Sequence, residues 1–260
     1  MAKHDIQTSV PDHGAGTVGA VPTVTVAVAF HSLFGHTKVM AEHVAQGARL
    51  VPGAQVHLVE IKPEAITDGR WQDEDVMALL DRSDAIVFGA PTFMGSLSWV
   101  FKAFLEAAYT PWSTQAWKDK LAGGFTNSAS QSGDKLLSLE QLAVFGAQMG
   151  MQWIGLGDLP NNNWSGGHRN DVNRLGSWLG LMSQSHADQP GEQAGSPGDR
   201  RTAERYGERI ALLTQRWVNA APYTTTRMTE KEAWAFSAAL RADDPEESVD
   251  TALVEETAGA

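Results

Sequence analysis

The chain has 260 residues, a formal net charge of −11, an apolar fraction of 42%, nine tryptophans and no cysteine. That size suits one large domain, or a domain with appendages, and the apolar fraction supports a core. Lack of cysteine excludes disulfides, thiolate nucleophiles and cysteine-ligated metal centres. The acidity argues against nucleic acid as a partner, because duplex binding draws on lysine and arginine.

Residues 1–21 mix Gly, Pro, His and Asp without periodicity and are expected to form a flexible leader. They hold no apolar signal run, and no later segment approaches the ~20 apolar residues of a membrane span. A cytoplasmic protein without membrane insertion is the expectation. "GAGTVG" (Gly14 to Gly19) matches a dinucleotide fingerprint by letter. It precedes the first strand instead of following one, so that use is set aside.

Residues 22–218 alternate between two periodicities. "TVTVAVAF" (Thr23 to Phe30) is β-branched and apolar, as a strand buried on both faces would be. From Thr37 to Val51 a helical stripe recurs at Met40, Val44, Ala48 and Val51. "AQVHLVEI" (Ala54 to Ile61) alternates and suits a strand nearer an edge. A helix is expected around Asp73 to Asp81, then a buried strand, "AIVFGAP", from Ala85 to Pro91. Ser98 to Tyr109 is helical, with Val100, Ala103, Phe104 and Ala107 on one side.

"LAGGFTNS" (Leu121 to Ser128) is the fourth strand, Leu136 to Met149 a helix, and "MQWIGLG" (Met151 to Gly157) the fifth strand. Arg201 to Trp217 closes the set, with Tyr206, Ile210, Leu213 and Trp217 at helical spacing. Residues 219–260 are small and strongly acidic, and are expected to be mostly disordered, with a short helix around Glu230 to Leu240.

Strands alternating with helices imply a doubly wound parallel α/β sheet. Ligands of such sheets lie outside the carboxyl ends of the strands, where the strand order reverses. Three segments leave a strand there carrying small and polar residues: "HSLFGHT", "PTFMGS" and "TNSASQSG".

In the first, Ser32 and Thr37 offer hydroxyls, and Gly35 lets the backbone turn. The N–H groups opening the next helix have no intrahelical partners and make an anion site. A monophosphate fits, whereas a magnesium triphosphate would want GxxxxGK[ST], which is absent. Ser32 and Thr37 as simple helix caps is the plainer alternative. His36 is read as a cap or packing residue, since His31, His43, His57, His168 and His186 share no ligand spacing with it.

In the second loop Pro91 is expected to stop the strand, and the Thr92 hydroxyl to meet a flat polar ring edge. Hydroxyls and an amide crowd the third loop, which suits the same task from the other side.

With these three loops in place the chain resembles the flavodoxin-like FMN proteins. It is most similar to the NAD(P)H:quinone oxidoreductases related to the tryptophan-repressor-binding protein WrbA, within the NADPH-dependent FMN reductase superfamily. The stretches that carry the resemblance are "SLFGHT", "DAIVFGAPTFMGSLSWVFKAFLEA", "PWSTQAWKDKLAGGFTNSASQSG" and "GDRRTAERYGERIA".

The resemblance implies a five-stranded sheet of order 2-1-3-4-5 with helices on both faces. It puts FMN phosphate on Ser32, Leu33, Phe34, Gly35, His36 and Thr37. Thr92, Phe93 and Met94 would line the isoalloxazine ring. Asn127, Ser128, Ala129, Ser130, Gln131 and Ser132 would meet its pyrimidine side and the ribityl chain. Phe34 would face the nicotinamide of NADPH or NADH, and Trp112 would stack near a quinone-like or other aromatic acceptor. Relatives commonly assemble as tetramers, so a homo-oligomer, dimer or tetramer, is implied.

The chain departs from the pattern in several places. "SASQSG" stands where relatives carry "TGTGGG", Phe34 replaces a tyrosine, and Gln148 replaces a histidine that touches FMN. Residues 160–199 form a long excursion that could cover the acceptor face of the flavin or be a peripheral loop. Trp112 and Trp117 are both stacking candidates, with packing or a subunit contact as the alternative.

The expected function is hydride transfer from NAD(P)H through FMN to the acceptor. Other readings are an electron-carrier flavodoxin, a flavin reductase supplying reduced FMN to a partner monooxygenase, and a flavin-free binding module. No side chain stands out as an obligatory acid or base, and no metal is expected.

Overall fold

The computed structural model describes residues 21–220 and 227–235. In chain order the elements are β1 (Val24–Phe30), α1 (His36–Arg49), β2 (Ala54–Glu60), β3 (Ile66–Thr67), β4 (Arg70–Trp71), α2 (Glu74–Arg82), β5 (Ala85–Phe93), β6 (Ser96–Leu97), α3 (Trp99–Ala107) and α4 (Tyr109–Ser113). There follow β7 (Leu121–Ser128), α5 (Lys135–Gln148), β8 (Gln152–Trp153), β9 (Leu181–Gln184) and α6 (Pro197–Asn219).

The main sheet runs β2-β1-β5-β7-β8, all parallel, and the chain has the doubly wound, flavodoxin-like architecture expected. Two-residue periodicity along β1 divides its side chains between two cores. Val26, Val28 and Phe30 pack with Met40, Val44 and Ala48 of α1 and Tyr206 and Ile210 of α6. Ala27 and Ala29 face the opposite layer, where Ile86, Phe88, Phe101, Phe104, Leu139 and Leu142 meet.

Helices α1 and α6 touch through glycine. A Cβ on Gly47 would collide with the Glu204 carbonyl, and one on Gly207 with the Val44 carbonyl. Tyr206, fully buried, ties α6 to the sheet: its hydroxyl accepts from Gly124 N–H at 3.1 Å and donates to the Ile154 carbonyl at 2.6 Å.

The fifth strand differs from the expectation of one run from Met151 to Gly157. Only Gln152–Trp153 pairs there, along Leu121–Ala122, and β9 takes the rest of the β7 edge, opposite Phe125 to Ser128. Beyond Ile154, the Leu156 N–H bonds to the Trp178 carbonyl, so that backbone has left β7. Gly157, at φ 82°, turns the chain away.

The excursion is therefore partly sheet. Its first half is fastened to α6 by Asn173 N–H donating to Thr202 Oγ1, and the Arg205–Asp158 ion pair holds the chain just ahead of it to the same helix.

Pro91 also departs from expectation, because β5 continues through it to Phe93. The Gly89 carbonyl accepts from His31 N–H on the β1 side, so Pro91, two residues on, faces the same side after β1 has ended. A missing N–H costs nothing there. The strand then folds back, pairing Thr92 and Phe93 with Leu97 and Ser96.

Past α6, residues 230–235 are helical, within the expected tail helix. This stretch touches the domain where Tyr109 donates to Glu230 Oε2 at 2.8 Å. The leader with its "GAGTVG", residues 221–226 and residues 236–260 lie outside the described residues.

Candidate flavin site

The three loops converge at the carboxyl end of the sheet around a cavity of about 570 Å³, within the ~300–1,000 Å³ usual for small-molecule sites. It is lined by Ser32, Leu33, Phe34, His36 and Thr37 from the first loop and by Thr92, Phe93 and Met94 from the second. Asn127, Ser128, Ala129 and Ser130 line it from the third. Gly35 shapes the first loop from behind this wall, and Gln131 and Ser132 form the exposed crest of the third.

At one end the cavity meets the opening of α1. Gly35 is the residue before that helix, at φ 83°, and supplies no side-chain cap; the first turn carries no acidic residue. Two other helices, α2 and α6, are capped by the chain's own side-chain oxygens. Asp73 accepts from Val76 N–H at α2, and Ser196 and Asp199 form a capping box at α6. The α1 opening has no such cap. Beside it, Ser32 Oγ is buried without a hydrogen-bond partner. A buried hydroxyl and uncapped helical N–H groups, each costly if unsatisfied, suit an anionic oxygen-rich ligand.

Two imidazoles hold this cradle in place. His31 is buried, and its Nδ1 lies 2.8 Å from Ser98 Oγ, joining the first loop to the start of α3. Burial lowers the His31 pKa, so the ring is neutral at pH 7. His36 donates through Nε2 to the Gln189 carbonyl at 2.8 Å. Through that contact the excursion reaches the first loop, and its Ala187 forms part of the cavity wall.

The second loop does not present its hydroxyl as expected. Thr92 is buried, and its Oγ1 lies 2.7 Å from both Thr126 Oγ1 and Ser138 Oγ. Thr92 thus fixes the strand end from inside. Met94, at φ 49°, and Gly95, at φ 78°, carry the turn beyond it, with Met94 fully exposed. Phe34 and Phe93 meet edge to face across the cavity mouth, their centroids 6.2 Å apart.

The third loop is held from below. Asn127 Nδ2 donates to Ser183 Oγ and Ser185 Oγ, each at 2.8 Å. Gln184 Nε2 donates to the Ala129 carbonyl at 3.0 Å. Lys135, 1% exposed, donates to the carbonyls of Ser130, Gln131 and Ser132 at 2.6, 3.0 and 3.3 Å.

Sequence reasoning missed His31, Gln184 and Lys135. The one available signal was a lysine directly ahead of the apolar face of α5.

Trp112 does not join the other predicted residues. It lines a separate apolar groove with Leu97, Tyr109, Leu137, Val144 and Phe145. Trp117 is a core residue rather than a stacking surface: fully buried, it donates to Asp81 Oδ1 at 2.6 Å. Among the described residues no cluster of three or more His, Cys, Asp or Glu is placed to hold a metal, and no helix is long and apolar enough to cross a membrane.

The family described as NADPH-dependent FMN reductase matches residues 25–165. A protein named flavodoxin FldP from Pseudomonas aeruginosa is 41% identical over 189 residues, 72% of this chain and 95% of the relative. A protein named NAD(P)H dehydrogenase (quinone) from Geotalea uraniireducens is 31% identical over 205 residues, 74% of this chain and 98% of the relative. The crystal structure of a WrbA-like flavodoxin from Agrobacterium tumefaciens is 38% identical, with TM-score 0.58, over 75% of this chain and 99% of that one. With the matched segment spanning the first, second and third loops, the chain belongs to the NADPH-dependent FMN reductase family.

Proposed function

We propose that this protein is an FMN-dependent oxidoreductase that takes electrons from NAD(P)H and reduces a quinone-like or other flat aromatic acceptor. The observation that carries the reading is the partnerless Ser32 hydroxyl beside the uncapped opening of α1. A phosphate monoester satisfies both, and the family's cofactor supplies one. When bound, FMN supplies the hydride and electron chemistry that no side chain here can perform.

The chain's own residues bind and orient. Ser32 and the first N–H groups of α1 hold the phosphate without a cationic side chain. Thr92, Phe93 and Met94 support one side of the ring, and residues Ala129 to Gly133 approach its polar edge. The Phe34–Phe93 pair gives the mouth an apolar rim against which a planar acceptor stacks. Of the lining residues only His36 and Asp134 carry ionisable side chains, and His36 commits its Nε2 proton to the Gln189 carbonyl.

Trp112 reaches an acceptor only if a second copy of the chain presents it. The exposed Tyr109, Leu137 and Val144 around its groove support such a homo-oligomer.

The test is to mix purified protein with FMN, NADPH and benzoquinone. Quinone-dependent oxidation of NADPH supports the enzyme. The similarity to a protein named flavodoxin favours a second reading, an electron carrier. A carrier would bind FMN yet leave NADPH unoxidised.

A further inference from the structure

Lys135 and Gln184 grip four successive carbonyls of the third loop, those of Ala129, Ser130, Gln131 and Ser132, from the protein side. In a trans peptide the C=O and N–H point in opposite directions. Pulling these carbonyls inward turns the N–H groups of Ser130, Gln131, Ser132 and Gly133 outward. None of these N–H groups finds an acceptor among the described residues. A run of outward N–H groups is an acceptor-seeking surface. Lys135 is buried beneath it with no carboxylate in contact. The charged groups that reach it are Asp199 on α6, already bound by Arg174 through two hydrogen bonds, and Arg174 itself. Their sum with Lys135 leaves positive charge under the loop.

We propose that Lys135 is a positioning residue for the flavin ring: it holds the third loop as a wall of N–H donors and makes that wall electropositive toward the ring's carbonyl edge, favouring the reduced, more negative flavin. The inference rests on the FMN reading above and deepens it. Burial lowers the Lys135 pKa to about 8, so the charge is present at pH 7 and lost above pH 8.

The experiment measures FMN and riboflavin affinity by fluorescence quenching, and the midpoint potential of the bound flavin, in wild type, Lys135→Met and Lys135→Arg. Lys135→Met should weaken both ligands by the same factor, about tenfold, a change of ~1.4 kcal/mol, and should lower the potential. An equal loss for both ligands marks the ring rather than the phosphate. Lys135→Arg should restore affinity to within about threefold of wild type.

Wild-type affinity should fall several-fold between pH 7 and pH 9, and that of Lys135→Arg should stay level. The wild-type profile stands as a test even where Lys135→Met fails to fold. A flat wild-type profile, or a Lys135→Met protein with unchanged affinity and potential, overturns the inference. Failure of wild type to bind FMN at all overturns the function proposed above instead.

Discussion

His31 Nδ1 and Ser98 Oγ meet at 2.8 Å across 67 residues of sequence, inside the protein and one residue from the partnerless Ser32 hydroxyl. This contact fixes the first loop against the second, and burial favours the neutral form of its ring.

Because burial lowers the His31 pKa from 6.5, the unfolded chain binds a proton at this position more readily than the folded chain. Stability from this residue is full above pH 6.5 and is lost as the pH falls below it. Urea midpoints of wild type should therefore drop between about pH 7.5 and about pH 5.5, and His31→Asn should show a smaller drop. Equal drops in the two proteins would contradict the assignment.

Tyr206 gives a stability prediction away from the site. Tyr206→Phe leaves the Gly124 N–H and the Ile154 carbonyl unpaired in the core. A loss of about 1–3 kcal/mol in urea unfolding is expected, with the flavin affinity little changed.

Gly35 combines two constraints, a φ of 83° and a space where an added Cβ would lie 3.2 Å from Gly191 Cα. Gly35→Ala should cost about 1–2 kcal/mol in backbone strain. It should also weaken FMN more than riboflavin, because the strained turn sets the α1 opening that meets the phosphate.

Phe34 is 66% exposed and packs edge-on against Phe93. Phe34→Ala should raise KM for a planar quinone about three- to tenfold, from the loss of one aromatic contact worth about 0.5–1.5 kcal/mol. FMN affinity should change less than twofold. Steady-state kinetics beside a flavin titration separate the two effects.

Much of this architecture could be read from periodicity. β1 is apolar on both faces because each face meets a helix layer, and the stripe Met40, Val44, Ala48 and Val51 is buried as spaced. The loop residues Ser32, Phe34, Thr92 and Asn127 do converge on one cavity. The split fifth strand was not legible. Its second half, "LMSQ", is too short to stand out, and its place is set by β7 rather than by its own pattern.

Nor could spacing reveal that Thr92 turns its hydroxyl inward, since Thr126 and Ser138 reach it from 34 and 46 residues away. Lys135 was hidden for a related reason. A lysine is ordinarily a surface residue, and only the folded loop supplies the carbonyls that make its burial tolerable.

The most direct measurement is a fluorescence titration of the apoprotein with FMN and with riboflavin, which differ only in the phosphate. Tight one-to-one binding of FMN, at least about tenfold stronger than riboflavin, with most of that advantage lost in Ser32→Ala, is the result predicted. Equal affinity for the two, or no quenching by FMN at micromolar levels, would contradict a phosphate site at Ser32 and the opening of α1.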